Sequence, residues 1–260
     1  MKRKLVLVTG AGGFLGSHIT RELLAENYQV RALLAPNESS ENLNDQTLQI
    51  EEGDIRKKNV VDKAAKGATH IIHCAALNKL WHRPSREYFE INLKGTKNIL
   101  HAAEHFKVER LIYTSSCEVM GPSQNAIPRT EQWKCVARSI RGHYAQSKSL
   151  AEAKVRRHLE ARAVILRPTV LLGPGDIHQT PFGQFLQAYF NRQLPAYYNC
   201  GINLIDVRDA AKAHLSALDC GKLRRAYIIG GYNVRLEDVL QKIARLSGVQ
   251  PPKRKLSYHS

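Results

Sequence analysis

The sequence predicts an α/β fold, a doubly wound parallel sheet with a small C-terminal lobe. Three observations predict it. Short apolar runs alternate with helix-period segments through residues 4–167, the pattern of strand–helix–strand units. The runs are apolar almost without interruption, as strands covered by helices on both faces must be. A glycine loop separates the first run from the first helix. Right-handed crossovers then wind the helices onto both sides of the sheet.

Residues 4–9 (KLVLVT) predict the first strand, 10–16 (GAGGFLG) the loop, and Ile19, Leu23 and Leu24 a helix over 17–26. Residues 28–34 (YQVRALL) predict a second strand that Pro36 ends. Leu48–Glu52 predicts a short third strand, 57–66 a polar helix and 69–75 (THIIHCA) a fourth strand. A long helical pattern covers 85–106, followed by a strand at 108–114 (VERLIYT), a helix over 142–160 and a strand at 161–167 (ARAVILR). Beyond Pro168 the alternation weakens. Gly173-Pro174-Gly175 is a turn, 176–204 is mixed, and 207–219 and 236–247 read as helices. The division expected is a sheet domain over 1–170 and a smaller lobe over 171–260, interleaved with late sheet elements.

The formal net charge of +16, from 39 Lys and Arg against 23 Asp and Glu, raises nucleic acid as a partner. The charge is spread along the chain, with no aromatic-interleaved stripe, so a generally basic surface is the simpler reading and no nucleic-acid partner is expected. No apolar run approaches the roughly 20 residues of a membrane span. The opening MKRKLVLVTG starts like a secretory leader, but its apolar run stops after Val8, so a cytoplasmic protein is expected. Five widely spaced cysteines without a CxxC pair suggest neither disulfides nor zinc. His101 and His105 stand i, i+4 in HAAEH, which is not the metalloprotease order, and no metal is expected.

Gly10, Gly13 and Gly16 are spaced G-x-x-G-x-x-G between a strand and a helix. The first permits a tight turn, the second lets backbone approach a pyrophosphate, and the third lets helix pack on strand. The helix start adds unpaired amides and the positive end of its dipole. The loop therefore points to a Rossmann fold binding NAD(P). At the end of the second strand an acid would select NAD and an arginine NADP. Arg31 lies inside that strand, Ala35 ends it, and no acid comes before Glu38, which tilts the choice slightly to NADP; Arg31 reads equally as a solvated strand residue. Asp54, after Gly53, is either an acceptor for the adenine amine or a cap of the next helix.

Tyr144 and Lys148 stand i, i+4 on a predicted helix, one turn apart on one face. A tyrosine titrates at about 10, and a neighbouring cation lowers that value. Tyr144 can then exchange a proton with a substrate hydroxyl while a nicotinamide exchanges the hydride. The pair alone occurs by chance in many helices. Its place after a strand ending in Thr114-Ser115-Ser116, whose hydroxyls can hold the substrate oxygen, gives it weight.

TGAGGFLG (9–16), GDI (53–55), HCAA (73–76), NLKGTKNIL (92–100), YTSSCEVMG (113–121), YAQSK (144–148) and LRPTVLLGPGD (166–176) together resemble the extended short-chain dehydrogenase/reductases of the NAD-dependent epimerase/dehydratase superfamily. LWHRPSREYFEINLKGT (80–96) and 167–197 are most similar to the dihydroflavonol-reductase-like branch and its hopanoid-associated sugar epimerases. The resemblance implies that Tyr144 is the acid/base, that Lys148 binds the nicotinamide ribose and tunes Tyr144, and that Ser116 bonds the substrate. It implies that Gly10, Gly13, Phe14, Leu15 and Gly16 hold the pyrophosphate and that Asp54 and Ile55 sit at the adenine. Ala75 and Ala76 would line the path to the nicotinamide ribose, Asn92 would brace the site, and Pro168 and Val170 would touch the nicotinamide. It further implies a homodimer through helices 85–106 and 142–160 and a small-molecule substrate, either a nucleotide sugar or a ketone or aldehyde.

Two departures stand out. Relatives in this branch carry an arginine where this chain has Ala35, and they continue for several elements beyond Pro251-Pro252, so a shortened substrate lobe with uncovered apolar surface is expected. Sugar dehydratases place an Asp-Glu pair where this chain has Cys117 and Glu118. Elimination needs both an acid and a base, which disfavours a dehydratase and leaves Glu118 as a hydrogen-bonded structural carboxylate. Trp81-His82 either line the cleft or cover the core, and Tyr189, Phe190, Tyr197 and Tyr198 either pack or stack on a sugar. The function expected is an NAD(P)-dependent oxidoreductase, epimerase or reductase. The alternative is an inactive NAD(P)-binding or redox-sensing regulator, which would have no need of a tuned phenol.

Overall fold

The computed structural model describes residues 4–43, 48–79, 82–121, 127–133, 135, 140–158 and 162–257. β1 (Leu5–Thr9) leads through α1 (Phe14–Ala25) to β2 (Gln29–Leu34) and β3 (Gln49–Glu52), then to α2 (Lys58–Ala65) and β4 (His70–His73). α3 (Arg86–Phe89) passes through a π-helical turn, Glu90–Lys94, into α4 (Gly95–His105), so the long helix expected over 85–106 contains one wider turn. β5 (Arg110–Thr114), α5 (His143–Arg157), β6 (Ala163–Pro168) and β7 (Val170–Leu172) follow. The remainder comprises α6 (Pro181–Phe190), β8 (Tyr197–Tyr198), β9 (Gly201–Asp206), α7 (Val207–Asp219), β10 (Ala226–Ile229), β11 (Tyr232–Arg235), α8 (Leu236–Ser247) and β12 (Lys255–Leu256).

Seven strands form one sheet in the order β10-β6-β5-β4-β1-β2-β3, and every pairing in it is parallel. Successive side chains of a strand face opposite sides. Val6 and Val8 enter one core with Ile19 and Leu23 of α1 and Ala210 and Ala211 of α7. Leu7 enters the other with Val61 of α2, Ile99 of α4 and Val155 of α5. With both faces covered, both side-chain sets must be apolar, which is why the strands read as unbroken apolar runs.

The chain leaves β1 toward β2 on one side and later places β4 on the other. The crevice beyond the carboxyl ends of β1 and β4 is therefore a topological switch point, the position at which open α/β sheets bind ligands. α1 starts at Phe14, inside the expected loop, because Ser17 N–H already donates to Gly13 O at 2.9 Å. α7 and α8 have the expected limits. Asp206 caps the first by accepting from Arg208 N–H, and Gly248, at φ 75°, ends the second.

β7, β9 and β11 form a second sheet and β8 and β12 a third, while β10 returns to the main sheet. Tyr189 and Tyr197 are buried in a third core with Leu236 and Leu240, so these two aromatics pack. Phe190 and Tyr198 stay exposed. No helix among the described residues is long and apolar enough to cross a membrane.

Candidate active site

The glycine loop joins β1 to α1 with its backbone turned tightly at Gly10, φ 68°. A Cβ there would lie 2.7 Å from Ala75 Cα, and a Cβ at Gly16 would overlap the Gly10 carbonyl oxygen. Side chains are thus excluded where the loop, β4 and α1 converge. α1 has no acid in its first turn and no side-chain cap, so its first amides and the positive end of its dipole stay available to an anion. Phe14 and Leu15 are buried in this first turn. A bare backbone concavity at a helix start fits the pyrophosphate of NAD(P).

Arg31 stands in mid-strand, as expected, opposite Leu7. Its Nη1 donates to the Ala64 and Lys66 carbonyls at 2.7 and 2.8 Å, and its Nε to Gln49 Oε1 at 3.1 Å. The guanidinium closes the C-terminal end of α2, where the last helical carbonyls need donors, and is committed there. Ala35 does follow the end of β2, but the turn after it folds back. Glu38 accepts the Ala35 amide at 2.8 Å and lies 3.1 Å from the point a Gly12 Cβ would occupy. Partial burial raises the pKa of its carboxyl. The first acid beyond β2 therefore rests against the glycine loop. Asp54 accepts from Arg56 N–H, Nε and Nη2, and these donors hold its pKa down against a smaller cost of burial. Ile55 packs beside Gly95, and its carbonyl accepts from Asn98 Nδ2 at 2.8 Å.

Tyr144 and Glu118 line a cleft of about 990 Å³, with Ser116 buried behind them. Asn78, Lys79, His82, Arg83, Tyr88 and His143 are among the residues that wall it. The Ser116 hydroxyl accepts the Glu118 amide at 3.2 Å and lies near the Tyr144 phenol. Burial, with the Glu118 charge, raises the Tyr144 pKa well above its usual value, and Ser116 only partly opposes this. Lys148 is buried one turn further along α5. Its Nζ donates to the Thr114 carbonyl at 2.5 Å and stands 4.5 Å from the Tyr113 ring centroid. Burial pulls the pKa of Lys148 down to about 8. The phenol is thus neutral here, and the ammonium is hydrogen-bonded to backbone. Glu118 also differs from expectation. No hydrogen bond among the described residues holds its carboxylate, which opens to solvent through the cleft although surrounding protein raises its pKa. His82 lines the cleft, whereas Trp81 lies outside the described residues.

Pro168 ends β6 buried, and Val170 opens β7 half-buried, at the sheet edge that faces this crevice. Ala75 and Ala76 follow β4, with Ala75 N–H donating to Thr9 Oγ1 at 3.3 Å. Asn92 braces the site by bonding Leu77 main chain and the Ser147 hydroxyl.

Sequence reasoning passed over a buried ion pair behind these residues. Glu152 accepts from Arg167 through Nη2 and Nε at 2.6 and 3.0 Å and from the Ser115 hydroxyl at 2.6 Å. Two sequence signals mark it. Glu152 continues the Tyr144–Lys148 stripe by another four residues, and Arg167 is a lone charge in an apolar strand. The ion pair holds the turn that presents Ser116 against the helix that presents Tyr144.

Residues 6–230 match the family described as NAD dependent epimerase/dehydratase. A Synechocystis protein named "Putative dihydroflavonol 4-reductase" is 35% identical over 95% of this chain and 73% of its own length. The crystal structure of gox2253 superposes with a TM-score of 0.93 at 33% identity, over 98% of this chain and 78% of that one. The UDP-glucose 4-epimerase of Thermus thermophilus, solved with NAD, gives 0.81 at 28% identity, over 97% and 85%. The glycine cradle at the switch point and the cleft lined by Tyr144 thus sit in a fold that the comparisons attach to one lineage, and the chain belongs to the NAD-dependent epimerase/dehydratase family, enzymes of the extended short-chain dehydrogenase/reductase type.

Proposed function

We propose that the protein interconverts a secondary alcohol and a ketone on a small molecule, with Tyr144 as the proton-transfer residue, Ser116 as the hydrogen-bond partner of the substrate oxygen and Lys148 as the cofactor ribose ligand. One observation carries this reading: the buried Tyr144 phenol lines the cleft with the Ser116 hydroxyl close enough to act on it, so that one oxygen of a bound substrate can meet both. Tyr144 takes the hydroxyl proton in oxidation and returns it in reduction. Lys148, with one of its three N–H groups on Thr114, has donors left for ribose hydroxyls. Gly10, Gly13 and Gly16 seat the pyrophosphate, and Ala75 and Ala76 border the ribose path. Asp54 and Ile55 lie at the adenine end; Pro168 and Val170 border the nicotinamide. The bound nicotinamide supplies the hydride acceptor and donor. The exposed Lys79 on the cleft wall suits a substrate with an anionic group away from the reacting carbon, such as a nucleotide sugar.

We read the cofactor as NAD, against the tilt to NADP that the strand end alone suggests. The Glu38 carboxylate against the glycine loop can accept ribose hydroxyls, and it would repel the dianion of a 2′-phosphate. Calorimetric titration with NAD, NADH, NADP and NADPH tests this. NAD is expected to bind more tightly than NADP by about tenfold, a difference of about 1.4 kcal/mol. Glu38→Gln should narrow the gap. Tighter binding of NADP by the wild type would reverse the assignment. A screen of nucleotide sugars and neutral ketones then separates two outcomes: a net change in NADH, released as an alcohol is oxidised or consumed as a ketone is reduced, marks a dehydrogenase or reductase, and isomer formation without it marks an epimerase.

A further inference from the structure

A buried chain of hydrogen bonds runs beneath the cofactor cradle. His73 ends β4 and is 1% exposed. Its Nδ1 lies 2.7 Å from the Thr9 hydroxyl at the end of β1, and its Nε2 lies 3.1 Å from the Thr96 hydroxyl on α4. Each hydroxyl has one proton to give, and that fixes the direction of every bond. Thr96 Oγ1 donates at 2.6 Å to the Asn92 carbonyl, which can only accept. Thr96 has no proton left for the ring, so His73 Nε2–H donates to Thr96. Nδ1 is then a lone pair that accepts from the Thr9 hydroxyl, whose oxygen accepts the Ala75 amide at 3.3 Å. The opposite tautomer breaks the set. The Thr9 proton would lose its acceptor on the ring, and Thr96 could serve the ring or the Asn92 carbonyl but not both.

The chain continues through Asn92. Its Oδ1 accepts Leu77 N–H at 2.7 Å, and its Nδ2 donates to the Leu77 carbonyl at 3.2 Å and to the Ser147 hydroxyl at 2.9 Å. Ser147 donates in turn to the Tyr144 carbonyl at 2.7 Å. A connected route of bonds and side chains therefore joins Ala75, against the glycine turn, to Tyr144 on α5.

We propose that His73 is a positioning residue: as the neutral Nε2–H tautomer it ties the loop of residues 74–77 beside the cofactor cradle to the helix that carries Tyr144 and Lys148. The proposal rests on the cofactor and proton-transfer roles assigned above. The ring faces Lys148 from α5 and Tyr113 from β5, at 5.8 Å between ring centroids; its partners from β1 and α4 are the uncharged Thr9 and Thr96. Burial, with the Lys148 charge, holds its pKa down to about 3, so the tie does not open and close with pH in the working range.

Nitrogen-15 spectra of the imidazoles in the intact protein test the tautomer. The expected result is the Nε2–H pattern for His73, unchanged between pH 8 and 5. The variants His73→Gln and His73→Phe test the consequence. Glutamine keeps one donor and one acceptor, whereas phenylalanine keeps a ring and loses both. His73→Phe should weaken NAD binding by about tenfold, the scale of one buried polar group left unpaired, and should lower kcat as well. His73→Gln should recover most of both losses. An Nδ1–H or doubly protonated ring overturns the proposal. So does a folded His73→Phe protein with wild-type NAD affinity and kcat, or a folded His73→Gln protein as impaired as the phenylalanine variant. If His73→Phe fails to fold, the spectrum and the glutamine variant decide. Failure of the wild type itself to bind NAD overturns the cofactor reading instead, and the spectrum still judges the tautomer.

Discussion

Tyr144→Phe is expected to lower kcat by about 10²–10⁴-fold, the usual contribution of a positioned proton-transfer group, while leaving NAD affinity nearly unchanged. The substitution removes one hydroxyl and keeps the ring. What it removes is the hydroxyl that faces the cleft near Ser116. Before ligands bind, burial and Glu118 keep that hydroxyl protonated, and Lys148 is turned away to the Thr114 carbonyl. Lowering a phenol pKa by about three units takes roughly 4 kcal/mol of differential stabilisation. That stabilisation must come from rearrangement on binding, with the oxidised nicotinamide and a redirected Lys148 as its sources. The pH profile of kcat, which reports the loaded enzyme, should accordingly show a lower tyrosine pKa than that of kcat/KM, which reports the unloaded one. Steady-state kinetics and calorimetry of the variant check the first claim. A Tyr144→Phe protein with full turnover would remove Tyr144 from the chemistry.

Acid should destabilise the fold steeply well before the carboxylates titrate. His73 and His214 are both buried in the neutral form, with pKa values lowered to about 3 and about 4 from 6.5. Burial is the first cause in both. His214 is locked by donating Nδ1–H to the Ala210 carbonyl at 2.7 Å, while its Nε2 accepts from Thr114 Oγ1 at 3.0 Å. Because the folded pKa is depressed, the unfolded chain takes up protons first as pH falls. The stability from each histidine is fully present above 6.5 and is lost as pH drops toward the folded value. Two such groups give a slope of about 2.7 kcal/mol per pH unit below 6.5. His18 and His70, whose pKa values are lowered chiefly by burial, act in the same direction. Urea unfolding at pH 7, 6 and 5 measures the slope. His214→Gln should reduce it, and a flat profile between pH 6 and 5 would show that these rings are not buried neutral.

The order of strands and helices was legible because two-sided burial writes itself as unbroken apolar runs, and α7 and α8 were legible to the residue because Asp206 and Gly248 mark their ends. The i, i+4 spacing of Tyr144 and Lys148 was legible too, since helix geometry is local. What Lys148 bonds was not: the Thr114 carbonyl lies 34 residues away and carries no sequence signature. What Arg31 bonds was hidden for the same reason, because its carbonyl partners lie 33 and 35 residues on, at the end of another element. Glu38 was dismissed because linear distance from β2 conceals a turn that folds back. His73 read as one more strand residue, because its role depends on two hydroxyls from different elements.

The wide turn at Glu90–Lys94 makes this part of the enzyme sensitive to length rather than to chemistry. A helix advances about 100° per residue, and a π turn holds one residue more than its α counterpart. Upstream, Ser85 and Tyr88 face the cleft; downstream, Ile99, Ala102 and Ala103 face the sheet. These two bearings are compatible only while the extra residue is present. Deleting Ile91 would bring the segments into one regular spiral and swing the cleft-facing end by about a quarter turn, whereas exchanging Ile91 for another apolar residue would leave both bearings intact. Paired deletion and substitution, read by substrate KM, would show the contour of the cleft to be stored as a count of residues.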